Sequence, residues 1–222
     1  MSVNKTKLVI GGIAVVVIAV IAYGVWIFSA VDHQTIGEAQ REFSVDCDFK
    51  KFRQIMVRKN AAEAIISAGG MKLINQSLDD VSIDTSNDDR PILNAIRGRS
   101  QSELSAVKQL TVQINDPSVD ADRLTLKQAA NVQESSMSVE TKSIAPAAQL
   151  KSYRTTLDAE SSGNSTNVRL TVEMVLDLKV PAMFTDRADR EVQSSAEQAL
   201  KSQEQAMKTF VEKHKDKRLI LP

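Results

Sequence analysis

One cysteine, two histidines, one tryptophan and two tyrosines are all that the 222 residues hold of the groups that carry most covalent, metal and stacking chemistry. With Cys47 alone an internal disulfide is excluded, so the folded part must be stable by packing. Aromatic residues make up 4% of the chain, which leaves Val, Leu, Ile, Ala and Met to build the core. Lys plus Arg and Asp plus Glu balance at 28 each, and this neutrality excludes the broad basic surface that nucleic acid requires. There is no Gly-x-Ser-x-Gly elbow, no His-Glu-x-x-His pair and no phosphate-cradling glycine loop. No cofactor, metal site or catalytic residue is therefore expected.

The scattered reactive groups have plain readings. Cys47 alternates with Asp46 and Asp48, which places it inward as an inert small hydrophobe between two solvated carboxylates. Asp84, Asp88 and Asp89 lack the glycine-hinged spacing of a calcium loop and read as loop solvation. His33 and His214 read as solvated, and Lys213, Lys215, Lys217 and Arg218 as charge complementing a helix C-terminus, with a lipid headgroup as the alternative partner.

Against these absences stands one uncharged apolar run, Leu8 to Phe28. As a helix its 21 residues would span about 32 Å, close to the thickness of a bilayer's hydrocarbon core. Lys5 and Lys7 precede it and no Lys or Arg follows closely, so the N-terminus is expected in the cytoplasm and the rest outside it. Tyr23 and Trp26 suit an interfacial anchor. A cleaved signal peptide would use a shorter core and a small-x-small site. Ala22-Tyr23-Gly24 offers such a site, whereas Phe28-Ser29-Ala30 does not. The expected organisation is a cytoplasmic N-terminus at 1–7, a transmembrane helix at 8–30, a polar stalk at 31–40 and one exported domain at 41–222, in a single-pass inner-membrane protein. Setting Lys5 and Lys7 aside leaves 26 basic against 28 acidic residues, so that domain carries a formal charge of −2.

Within the domain the apolar period changes along the chain. Phe43, Val45, Cys47 and Phe49 alternate as in a half-buried strand, and two short helical pieces follow, the second starting near Asn60 and ending at Gly69-Gly70. Met71 to Ile83 reads as a strand or two short ones, and Asp84 to Ala106 as polar and irregular with one or two short helices. Alternation returns at Leu110–Ile114, Leu124–Val132, Met137–Thr141 and Tyr153–Leu157, and is strongest from Val168 to Val180. From Thr185 to Lys215 neither Pro nor Gly occurs, and the apolar positions form one helical stripe interrupted by Gln203. The fold class is α+β: an antiparallel sheet of about seven strands covered by one long amphipathic helix.

The closing unit, Leu176-Asp177-Leu178-Lys179-Val180-Pro181 leading into the helix from Asp186 to Phe210, resembles that of the START-like (SRPBCC) superfamily, whose helix-grip fold curves a sheet around a C-terminal helix. The likeness covers about Phe43 to Lys215. Phe49 and Phe52 stand where many members carry a Trp, and the polar stretch Asp84–Ala106 is longer. The resemblance implies a cavity between sheet and helix that holds an apolar molecule. Its implied lining is Leu126, Ala130, Leu170, Val172 and Met174 on the strands and Met207 and Phe210 on the helix. The plainer reading of the same stripes is a solid core, since any packed domain shows them. Two functions follow: a membrane-anchored module that binds a lipid or other apolar small molecule, or a non-enzymatic structural or adaptor domain with a filled core that meets an envelope protein. An enzyme on this fold would rest on resemblance alone.

Overall fold

The computed structural model describes residues 29–58, 61–84, 103–114 and 123–216. The apolar run Leu8–Phe28, the helix start at Asn60 and most of the stretch between Asp84 and Ala106 lie outside them. Among the described residues the chain runs β1 (Ala30–Val45), α1 (Phe49–Arg58), α2 (Ala61–Ala68), β2 (Met71–Asp84), β3 (Glu103–Ile114), β4 (Leu124–Val132), β5 (Ser136–Ser143), β6 (Leu150–Ser162), β7 (Ser165–Pro181), a 3-10 turn (Ala182–Phe184) and α3 (Thr185–Lys215). The seven strands form one sheet in the order β1-β7-β6-β5-β4-β3-β2, every pair antiparallel. A seven-stranded antiparallel sheet with a long closing helix fits the helix-grip architecture.

Short connections join the strands from β4 to β7, as antiparallel neighbours allow. Gly163 turns the β6–β7 hairpin with φ +62°, a conformation that glycine adopts without a side-chain clash. On β7, Val168, Leu170, Val172 and Leu176 point to the buried face while Asn167, Arg169 and Glu173 are exposed. The buried stripe of α3 (Val192, Ala196, Leu200, Gln203, Met207 and Val211) lies on that face, packed mainly against β1 and, less closely, β7. Pro181 ends β7, and α3 begins within one turn of it.

Two expectations are corrected. Val31 to Gln40 is not a stalk: these residues form the first part of β1, paired along its length with β7 from Ala30 opposite Pro181 to Val45 opposite Thr166. The inward positions of that segment are His33, Thr35, Gly37 and Ala39, small or polar because α3 comes close, and the apolar alternation that marks a strand is missing. A Cβ built on Gly37 would sit 2.8 Å from the Val192 carbonyl oxygen. The second correction is at Cys47, where the strand has already ended at Val45 and α1 begins at Phe49. Asp48 accepts the Lys51 amide at 3.0 Å, capping the first turn of α1. Cys47 is buried as expected, and burial raises its thiol pKa further.

The outer edge of β1 is tied to α3. His33 Nε2 lies 2.7 Å from Asp189, and Arg41 Nε 2.6 Å from Glu204, which also holds Lys208 at 2.7 Å. Gln193 Oε1 accepts the Glu38 amide at 3.1 Å and its Nε2 donates to the Glu38 carbonyl at 2.8 Å. One side chain thus occupies both backbone groups of a residue on an otherwise open strand edge. Neither histidine is free: His214 Nδ1 lies 2.8 Å from the Phe210 carbonyl and its ring rests on Phe210 with centroids 4.5 Å apart. Lys215 of the basic tail reaches Asp46 at 3.4 Å and Glu212 at 2.9 Å.

Candidate functional site

The sheet's concave face is not filled throughout. Where α3 leaves β3 to β6 uncovered, a cavity of about 400 Å³ lies between those strands and the pair α1 and α2. That volume falls within the range of small-molecule sites, roughly 300–1,000 Å³. The strand register explains its walls row by row. Ala106, Ala130, Val139, Leu157 and Leu170 are successive cross-strand partners from β3 to β7, and all five line the cavity. Leu104, Val132 and Met137 continue the apolar wall on one side of this row.

On the other side runs a polar row. Lys108, Gln128, Thr141 and Thr155 are again cross-strand partners, from β3 to β6, and all four face the cavity. Gln128 Nε2 donates to Thr141 Oγ1 at 3.1 Å, which leaves the Thr141 hydroxyl proton free to donate. Lys108, Gln128, Ala130, Val139 and Thr155 are each partly exposed, so the floor of the cavity is reached by solvent.

Helices supply the roof. Met56 of α1 and Ala61, Ala62, Ile65 and Ile66 of α2 face the strands. Alanines at 61 and 62 keep α2 thin on this side, and Gly70, at φ +83°, lets the chain turn from α2 into β2. Phe52 and Ile55, both fully buried, anchor α1 to the core beside the cavity, with the Phe49 and Phe52 rings 6.4 Å apart. The long helix contributes one lining residue, Gln203, which is 6% exposed. Its amide sits where Gly69 has no side chain, since a Cβ there would lie 2.7 Å from Gln203 Nε2. Gln203 hydrogen-bonds Tyr153, whose phenol pKa burial pushes up to about 12 while that hydrogen bond pulls the other way. Tyr153 therefore stays a neutral hydroxyl in the wall at any ordinary pH.

Of the seven residues expected at a cavity, the structure brings Leu126, Ala130 and Leu170 to it. Val172 and Met207 are instead buried in the packed region beneath α3, and Met174 and Phe210 are partly buried against that same core, none of them on the cavity wall. The cavity lies further toward β3 and β4 than a helix-centred picture suggests, because α3 covers the β1 and β7 side. Lys108, Gln128, Thr141, Tyr153, Thr155 and Gln203 had not been singled out for the site. Gln203 carried a signal, as the lone polar residue in the apolar stripe of α3. The α2 residues carried none, since Ala61 to Ile66 read as any short apolar helix. Among the described residues no group of three or more His, Cys, Asp or Glu side chains could hold a metal ion.

No protein-family model matches the chain, and no curated protein matches it in sequence. Solved structures do resemble it. The Zhui aromatase/cyclase from a Streptomyces species is 9% identical over 80% of this chain and 94% of its own, with a TM-score of 0.47. A START superfamily protein from Mycobacterium smegmatis is 12% identical over 79% of this chain and 97% of its own, with a TM-score of 0.46. Truncated norcoclaurine synthase from Thalictrum flavum is 13% identical over 84% of this chain and 98% of its own, with a TM-score of 0.41. The fold assignment rests on the strand order and the closing helix of this chain, not on these likenesses.

Proposed function

We propose that this chain is a membrane-anchored module that takes up a lipid or other apolar small molecule between its sheet and its helices. The supporting observation is the cavity: five apolar residues in one cross-strand row, roofed by an apolar face of α2, remain without a protein partner across about 400 Å³. A void lined this way forfeits dispersion contacts that an apolar occupant restores. The anchor in this proposal is Leu8–Phe28, with the N-terminus in the cytoplasm and the sheet domain outside it at the inner membrane. The sheet begins at Ala30, so under this reading the domain sits directly at the bilayer surface. Among the described residues no helix is long and apolar enough to cross a membrane.

The test fills the void. Ala130 is the second of the five residues in the apolar row, between Ala106 and Val139, and Ala130→Phe projects a ring into the cavity without touching the packed side of the sheet. The full chain, in nanodiscs, is examined by native mass spectrometry and organic extraction. Wild type should carry an apolar molecule in stoichiometric amount, and the variant should lose it while keeping its thermal midpoint. A wild-type chain that is clean and also resists added lipid would overturn the proposal and favour an adaptor that binds a protein through its surface. A bulky side chain at Val172 would not serve, since Val172 is 2% exposed in the packed region and the substitution would overpack the core.

A further inference from the structure

The floor of the cavity carries a polar row beside the apolar one, adjacent rows of the same register, with Leu126 and Tyr153 lining it beyond the polar row. Such a floor does not match a pure hydrocarbon, because bound hydrocarbon would cover the polar row and leave its groups without partners. It matches an amphiphile lying along the sheet. The charge in the polar row is Lys108, and among the described residues no carboxylate pairs with it. Gln128 is its cross-strand neighbour, and further along the same row stand neutral groups that donate: the Thr141 hydroxyl, which accepts from Gln128 and keeps its own proton, and beyond it the Thr155 hydroxyl.

Resting on the cavity reading above, we infer that the occupant is a single-tailed carboxylic acid, its carboxylate held by Lys108 and the neighbouring donors and its tail along Ala106, Ala130, Val139, Leu157 and Leu170. The charge balance sets the headgroup. One ammonium with neutral donors neutralises the single charge of a carboxylate, whereas a phosphate monoester carries close to two charges and calls for further cations or a fork of guanidinium donors. The volume sets the tail: about 400 Å³ is near the lower end for ligand sites and suits one chain. Lys108 is partly buried in the cavity lining, which suits a side chain that can cover apolar surface with its alkyl stem and still present its charge to a ligand.

Two probes that differ only in the head test this. A dodecanoic acid with a mid-chain diazirine and the matching dodecanol are each photo-crosslinked to the full chain in nanodiscs, and labelled peptides are mapped by mass spectrometry. The acid should label β4 and β6 peptides, and Lys108→Met should reduce that labelling about tenfold, the loss expected for a hydrogen bond to a charged group. Labelling by the alcohol should be weak and the same in both proteins. Lys108→Arg, which keeps the charge, should retain at least half of the acid labelling, and equal circular dichroism spectra will show that all three proteins are folded. Acid labelling unchanged in Lys108→Met, or wild type taking the alcohol as readily as the acid, would overturn the headgroup inference while leaving the apolar cavity standing. No labelling of cavity peptides by either probe would overturn both.

Discussion

Gly37→Ala should loosen a place where the backbone of the long helix comes close to β1. The new Cβ would lie 2.8 Å from the Val192 carbonyl oxygen and 3.0 Å from its Cγ1, closer than such atoms approach in proteins. The side-chain contact could relax by rotation, but the carbonyl is fixed in the helix, so α3 must move off β1 by several tenths of an ångström. Overpacking of this kind costs about 1–3 kcal/mol. Replacing glycine in an extended strand returns about 0.4–1 kcal/mol by restricting the unfolded chain. The net effect is a destabilisation of about 1–2 kcal/mol, or a fall in thermal midpoint of roughly 2–8 °C for a protein of this size. Circular dichroism melts of the full chain in nanodiscs read it. Gly163→Ala is the control, because it has no atom within 4 Å of its Cβ and a φ of +62°, so its cost is backbone strain alone. A Gly37→Ala protein as stable as wild type would refute the reasoning.

Further outcomes follow from the same contacts. Phe52→Ala, at a side chain with no exposure between α1 and the core, should cost about 3–5 kcal/mol in urea unfolding, and a loss below 1 kcal/mol would mean that α1 is not anchored there. Gln193→Ala should speed hydrogen exchange at the Glu38 amide several-fold, as removal of a bond worth ~1 kcal/mol predicts, and an unchanged rate would show that the edge is protected otherwise. Acid should destabilise the fold through three carboxyls held below their usual range: Asp177 by Lys151, Asp189 by His33 and Glu204 by Lys208. A depressed folded value gives stability that is present above the unfolded value, about 3.9 for Asp and 4.3 for Glu, and is lost as pH falls through the folded one. The loss should therefore begin near pH 4 and deepen below it. Asp189→Asn should flatten part of the acid limb of a stability-against-pH curve, and an identical limb would discount that residue.

The elements with a full apolar period are legible in the sequence. The seven alternating apolar positions of β7 and the stripe of α3, broken only at Gln203, could belong to nothing else, and the order of strand, two short helices, six strands and long helix follows them. β1 was half hidden, because a strand that meets a helix at close range carries Gly37 and Ala39 where a strand facing side chains would carry Val or Leu. β2 was equivocal for another reason: register shifts between Leu73 and Asn75 and between Leu78 and Asp80 move its side chains from one face to the other partway along. The cavity was least legible. Leu126 and Val172 both read as inward, and nothing in the period separates a side chain that meets a helix from one that meets empty space. That difference is set by where α3 comes to lie across the sheet, a property of crossing geometry and not of any local pattern.

The strand order also dictates a sequence of events. β1 is an edge strand next to β7, so among the described residues the first strand to be synthesised has its only strand partner more than a hundred residues later. Loops of that length close slowly, and a fold that depends on them has high contact order. Strands β2 to β7 can zip by hairpins as each appears, while β1 waits with both of its backbone edges unpaired. Gln193, which covers the far edge, follows β7 by only a dozen residues in the chain. The partner and the cap therefore arrive together, and the interval in which β1 can pair with another molecule ends in a single late step that also brings α3 down over the sheet.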